Sequence, residues 1–304
     1  MSDAKALNDS LAANYLLVDL QLRSWSGKST DREVSNEVIA SKNATKDSGR
    51  FIKNLFVGAD LELREVNQLG NAVRALVYAR TVPFSNNSDG AKRGERLIAA
   101  TKSMDFLKEL NESIKEYNSA VLRLVGVYDV RVDEAINNLQ GMGNKGDYPD
   151  KDSVANRFAI SVDLRPVPAL SDFTRVNVPS ALAEALGQRH AQNAEAMVGN
   201  AMSDLKTRLL EKLQNMATQL KKQADGTKTR LYDSLVTNLQ DLVSLTRSMN
   251  VYQNPELNAL ADRIEMQLLQ HPVEVYRVHP KKAADVAAAA QTLAVEAALE
   301  EIWR

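Results

Sequence analysis

The sequence predicts a mainly α fold, with long helical hairpins in a coiled-coil-like bundle and a small antiparallel β-sheet as a minor α+β component. Three observations carry this expectation. Across residues 194–268 an apolar residue returns every three or four positions, the spacing that lines one face of a helix. Two short segments instead alternate apolar and polar residues, the period of a half-buried strand. The composition, 44% hydrophobic and 25% charged over 304 residues, is that of a globular chain able to bury a core.

In chain order, the first strand is expected where Leu16, Val18, Leu20 and Leu22 alternate with Asp19, Gln21 and Arg23, closing at Ser26-Gly27. Residues 28–53 are polar and weakly periodic, which reads as a loop or a weak helix. A helix capped by Asp60 follows, with Leu63, Val66, Leu69, Val73, Leu76 and Val77 on one face, ended by Thr81-Val82-Pro83 because proline cannot continue the ladder. After a loop over residues 85–90, a long helix is expected from about Leu97, carrying Met104, Leu107, Ile114, Tyr117, Val121, Leu124 and Tyr128, with residues 132–139 extending or following it. The two helices suit an antiparallel hairpin.

Gly141, Gly143 and Gly146 break the pattern, and a short helix with Asp152 or Ser153 as cap precedes a second strand at Ile160, Val162 and Leu164. Residues 173–178 read as another strand, so a small antiparallel sheet would join the start of the chain to its middle. Beyond Pro179 the chain reads as helical. Val198, Met202, Leu205, Leu209, Leu213, Met216 and Leu220 form one stripe, Leu231 to Met249 a second after Asp225-Gly226, and Leu257, Leu260, Ile264 and Leu268 a third after Pro255. Residues 273–278, between His271-Pro272 and His279-Pro280, read as extended, and residues 281–303 as a last, alanine-rich helix. The expected division is a hairpin-plus-sheet domain over 1–180 and a helical, coiled-coil-like region over 181–304.

Function classes fall away by chemistry. Without cysteine there is no disulfide and no thiolate zinc site. The apolar runs fall short of the roughly 20 residues of a bilayer span and the start lacks a signal peptide's apolar stretch, so a cytoplasmic protein with no membrane partner is expected. A net charge of −1 gives no global attraction to polyanions. His190, His271 and His279 lack a second histidine at ligand spacing, so no metal is expected. The three glycines satisfy G-x-G-x-x-G but follow a helix and lead into Asp147-Tyr148-Pro149, the wrong context for a dinucleotide fingerprint. The loop around Asn87 and Asp89 has Ser85 and Arg96 where a calcium loop needs carboxylates. No catalytic residues and no cofactor are assigned, and the chain is read as a non-enzyme.

Two surfaces remain. The stripe from Val198 through Met202, Leu205, Leu209, Leu213 and Met216 to Leu220 is ordinary core or, more sharply, a self-association face of a scaffold or adaptor with protein partners, itself included. The alternative is a sequence-tolerant DNA- or RNA-binding protein using Lys42, Lys46, Arg50 and Lys53, with Lys92, Arg93 and Arg96 as a second group. A third group, from Lys206 and Arg208 through Lys212 to Lys228 and Arg230, is diluted by Asp204, Glu211 and Asp225, and aromatics for base stacking are few nearby. A solvated helix face is the plainer reading of each group.

The ordered motifs Trp25-Ser26-Gly27, Val57-Gly58-Ala59-Asp60, Thr81-Val82-Pro83-Phe84-Ser85, Asp147-Tyr148-Pro149, Arg157-Phe158, Pro166-Val167-Pro168 and Ser171-Asp172-Phe173 resemble a family of uncharacterised bacteriophage proteins, over residues 15–269. Phe84 stands where that family's motif carries tryptophan. The resemblance implies a phage-encoded protein of the host cytoplasm and carries over no catalytic residue; the scaffold or adaptor is expected to act in DNA metabolism or host takeover. Arg74, Trp25, Phe84 and Phe173 are expected to anchor core or loops rather than a site.

Overall fold

The computed structural model describes residues 2–84, 94–169, 172, 179–227 and 229–303, with the side chains of 2–5, 183, 190 and 191 left aside. It is 69% helical, so the class is mainly α with a minor antiparallel β component, as the periodicity predicts. The loop over 85–90, the strand expected over 173–178, Lys92, Arg93, Phe173, Lys228 and the His190 side chain lie outside what is described.

The chain forms two compact units that are interleaved in sequence instead of parting at residue 180. One comprises Met1–Asp19, Val77–Phe106 and Asp163–Arg304, the other Leu20–Leu76 and Leu107–Val162.

The larger unit begins with helix α1 (Ser2–Asn14), which the sequence pattern does not announce, and passes directly into strand β1 (Tyr15–Arg23). The sheet order places β1 between β5 (Arg96–Ala99) and β6 (Ala159–Pro166), with β4 (Val82–Pro83) outside β5. Tyr15 faces Ala99 and Val18 faces Arg96 in antiparallel register. The start of the chain does join its middle. Strand β5 corrects the expectation of a helix from Leu97, since all four of its residues are buried and so show no alternation.

Around this sheet the core is helical. The longest helix, α6 (Ser180–Ala224), spans 45 residues. Along its stripe the steps are four, three, four, four, three and four residues, a mean near 3.7, which suits a straight helix better than the about 3.5 of a left-handed supercoil. Gly226, at φ +73, closes it, with Gly226 N–H donating to Gln223 O and Thr227 N–H to Lys222 O. Helix α7 (Ser234–Ser248) follows, then α8 (Pro255–Leu268), whose Asn254 cap accepts from Glu256 N–H and whose first residue is proline.

Helix α9 (Val273–Val278) corrects the extended reading of that segment: Val273 and Tyr276, three apart, are both buried, and the Tyr276 hydroxyl donates to Leu268 O at 3.1 Å. Helix α10 (Pro280–Ala297) buries an alanine ridge, and the indole of Trp303 donates to Ala297 O at 2.9 Å.

The smaller unit contains the segment expected to be a loop or a weak helix. It holds a helix, α2 (Arg32–Ser41), between two strands that the sequence pattern does not announce, β2 (Lys28–Asp31) paired with β3 (Phe51–Asn54). The Asp31 carboxylate caps α2 by accepting from Val34 N–H at 3.1 Å. Helices α3 (Leu61–Arg80) and α4 (Ser103–Leu139) form the expected antiparallel hairpin within this unit, Arg131 pairing with Glu62 and Arg123 with Glu65. A short helix, α5 (Lys151–Val154), starts after Asp150, one turn ahead of the expected caps.

Trp25, Tyr148 and Phe158 pack in this unit's interior. Trp25 and Tyr148 each meet Phe56 edge-on at 5.5 Å, and the Tyr148 and Tyr128 hydroxyls donate to Leu55 O and Pro149 O at 2.6 and 2.7 Å. The glycine run is a helix-ending loop in which a Cβ on Gly143 would stand 2.5 Å from the Ile136 carbonyl oxygen.

Candidate functional site

The expected self-association stripe is interior. Every residue from Val198 to Leu220 in that set is at most 3% exposed, covered within its own unit by residues of α1, α7, α8, α9 and α10. A face that burial inside one chain already consumes offers nothing to a second copy.

The basic residues divide. Lys53, from the first group, is 5% exposed, and its ammonium donates to Asp31 (3.3 Å), Asp147 (2.6 Å) and the Met142 carbonyl (2.9 Å). This ties β3 to the α4 exit turn and leaves no charge for phosphate. Burial alone lowers the Lys53 pKa, but the hydrogen bonds it donates to the two carboxylates outweigh that and hold the ammonium charged. The Asp31 carboxyl is lowered first by the Val34 N–H and then by Lys53.

Arg96, from the second group, is 8% exposed and donates to Thr81 Oγ1 at 2.6 Å and Thr81 O at 3.0 Å. Its guanidinium lies 4.9 Å from the Tyr78 ring centroid, and that of Arg208 lies 4.4 Å from the same centroid. Burial pulls the Arg96 pKa down to about 10. Lys53 and Arg96 are therefore structural, a correction to their reading as phosphate contacts. In both cases a partner distant in sequence buries the charge.

Lys46 and Arg50 come together, and with them Arg32 and Ser35, which sequence reading did not single out. A cleft of about 440 Å³ in the smaller unit is lined by Thr30, Arg32, Ser35, Asn36, Ile39, Lys46, Asp47, Gly49 and Arg50. Arg32, Ser35, Asn36 and Ile39 share a face of α2 at steps of three, one and three, while Glu33 and Glu37 fall on another face. That helical spacing was the available signal for Arg32. Ser35 sets the width of the cleft: its hydroxyl donates to Asp31 O and accepts from Phe51 N–H at 2.8 Å, pinning α2 to the start of β3.

Between them the connection turns at Asn43 (φ 49) and Asp47 (φ 73), residue types that tolerate the left-handed region. Lys42 caps the C-terminal end of α2, where a cation suits the helix dipole, and is outside the lining. Arg32, Lys46 and Arg50 are exposed and form no ion pair among the described residues, and Asp47 is the single carboxylate in the lining. Such a site can hold a phosphate oxygen by charge and by the Thr30 and Asn36 donors.

Among the described residues no group of three or more histidines, cysteines or carboxylates lies together as a metal site, and no helix is long and apolar enough to cross a membrane. His271 sits 6.4 Å from the Tyr276 ring, a packing contact. Comparison with protein-family models, curated proteins and solved structures finds no match. The class that the fold defines is mainly α with a minor antiparallel sheet, and the functional argument rests on the cleft.

Proposed function

We propose that this chain is a non-enzymatic protein that binds the phosphate backbone of nucleic acid through the cleft between α2 and the connection that leads into β3. The observation that carries the reading is the convergence of three exposed, unpaired cations, Arg32, Lys46 and Arg50, on one cleft in a chain whose net charge is −1. Backbone contacts of this kind position a nucleic acid without reading its bases, so the binding is sequence-tolerant. The resemblance to phage proteins supplies the setting, the host cytoplasm during phage DNA metabolism.

The test is the salt dependence of affinity for a short labelled duplex, followed by fluorescence anisotropy. Three phosphate contacts give a slope of log affinity against log salt of about −2.7, because each contact releases counterions. Reversing two of the charges in Lys46→Glu/Arg50→Glu flattens the slope to about −0.9 and weakens binding at low salt. An unchanged slope in that variant, or no binding by the wild type, refutes the reading.

A further inference from the structure

We infer that the open cleft between α6 and the entry to α7 stacks a base of single-stranded nucleic acid on Tyr232, with Lys212 and Arg230 on the flanking phosphates. The cleft, about 280 Å³, is lined by Lys212, Asn215 and Gln219 of α6 and by Arg230, Leu231, Tyr232, Ser234, Leu235 and Asn238. It holds two cations, three carboxamides, a hydroxyl and one aromatic ring, and no carboxylate. The nearest acid in sequence, Asp233, is turned to Arg277 at 3.3 Å.

The ring is presented by its neighbours. Leu231 is buried, and its carbonyl accepts from Arg277 at 2.6 Å, while Leu235 N–H donates to Tyr232 O at 2.9 Å, so the backbone on both sides is held. Tyr232 itself is 56% exposed. The Arg230 guanidinium lies 5.0 Å from its ring centroid, leaving the remainder of the ring open to a planar partner. Gln219 accepts from Thr229 at 3.0 Å, which directs its amide N–H groups elsewhere as donors. An exposed ring beside two cations that form no ion pair among the described residues, with amide donors and no carboxylate in the lining, is the chemistry of a base-stacking platform. A duplex keeps its bases stacked on one another and cannot use it.

This inference rests on the proposed nucleic-acid function, and the experiment separates the two. Anisotropy of a labelled oligothymidylate and of a duplex of equal length is measured with the full chain, for wild type, Tyr232→Ala, Tyr232→Phe and Lys46→Glu/Arg50→Glu. Tyr232→Ala weakens single-strand binding about tenfold, equal to about 1.4 kcal/mol, and leaves duplex binding unchanged. Tyr232→Phe, which keeps the ring, binds the single strand like wild type. Equal single-strand affinity in Tyr232→Ala and wild type overturns stacking, as does an equal loss in the Ala and Phe variants. If instead Lys46→Glu/Arg50→Glu alone is without effect, the α2–β3 reading falls and the Tyr232 site stands.

Discussion

Replacing Gly27 with alanine probes the packing that closes the smaller unit. Gly27 has φ +65, and a Cβ built there would stand 2.5 Å from Leu63 Cδ2 and 3.1 Å from Phe56 Cδ2. Its carbonyl accepts from Leu55 N–H at 2.8 Å, so the turn cannot relax without losing that bond. The left-handed conformation costs an alanine about 1–2 kcal/mol, and displacing Leu63 within a filled interior adds about 1–3 kcal/mol. The expected total is about 2–5 kcal/mol.

With a denaturant slope of about 1–3 kcal/mol per molar urea, the unfolding midpoint of this unit falls by roughly 1–2 M. Tryptophan fluorescence reads it, because Trp25 packs edge-on against Phe56 in the same cluster. A Trp303→Phe background removes the second of the chain's 2 tryptophans. Gly141→Ala, where a Cβ meets nothing within 4 Å, is the control and changes the unfolding free energy by less than about 0.5 kcal/mol. Equal midpoints for the two variants would refute the argument from φ and close approach.

Leu213→Ala, in the middle of the α6 stripe at 0% exposure, costs about 2–5 kcal/mol in urea unfolding and leaves the mass by light scattering unchanged; a change of oligomeric mass at full stability would return the stripe to the role of an association face. Burial raises the pKa of Tyr15, Tyr78, Tyr117, Tyr128, Tyr148, Tyr252 and Tyr276 above their ordinary value near 10. The folded chain then holds protons that the unfolded chain releases, so their stabilisation is whole below about pH 10 and is lost as pH rises through the folded values. Arg96, lowered by burial from the ordinary arginine range to about 10, acts with the opposite sign in that window but is one group against seven. Urea midpoints measured across this range should fall with pH, and a midpoint that holds or rises would show that those hydroxyls are not buried in the folded state.

Where a segment's partner is on one side only, its own residues report the structure. The stripes of α6, α7 and α8 were legible because each helix turns one apolar face to the core, which imposes a period on the sequence, whereas β1 alternates only towards its end and buries the neighbours Leu17 and Val18 alike. Strand β5, buried at all four positions, carries no period to read. Residues 273–278 look extended by their flanking prolines and β-branched side chains, yet burial of Val273 and Tyr276 three residues apart winds them into a helix.

The candidate site divides in the same way. Lys46 and Arg50 were visible as charges at near-helical spacing, and Arg32 joins them only because α2 folds back over the hairpin. Lys53, Arg96 and Tyr232 show the limit most clearly. Lys53 is taken out of solvent by Asp147, Arg96 by the backbone and ring of a preceding helix end, and Tyr232 is brought beside Lys212 by the turn that ends α6.

By itself the sequence determined the helical class, the order of the major helices, the pairing of the chain's start with its middle and the absence of thiolate chemistry, all properties of local periodicity and residue type. Only the tertiary structure decided which apolar stripe is interior and which lysines and arginines remain free. Burial and ion pairing depend on partners tens to more than a hundred residues away, and no local pattern encodes whether such a partner arrives.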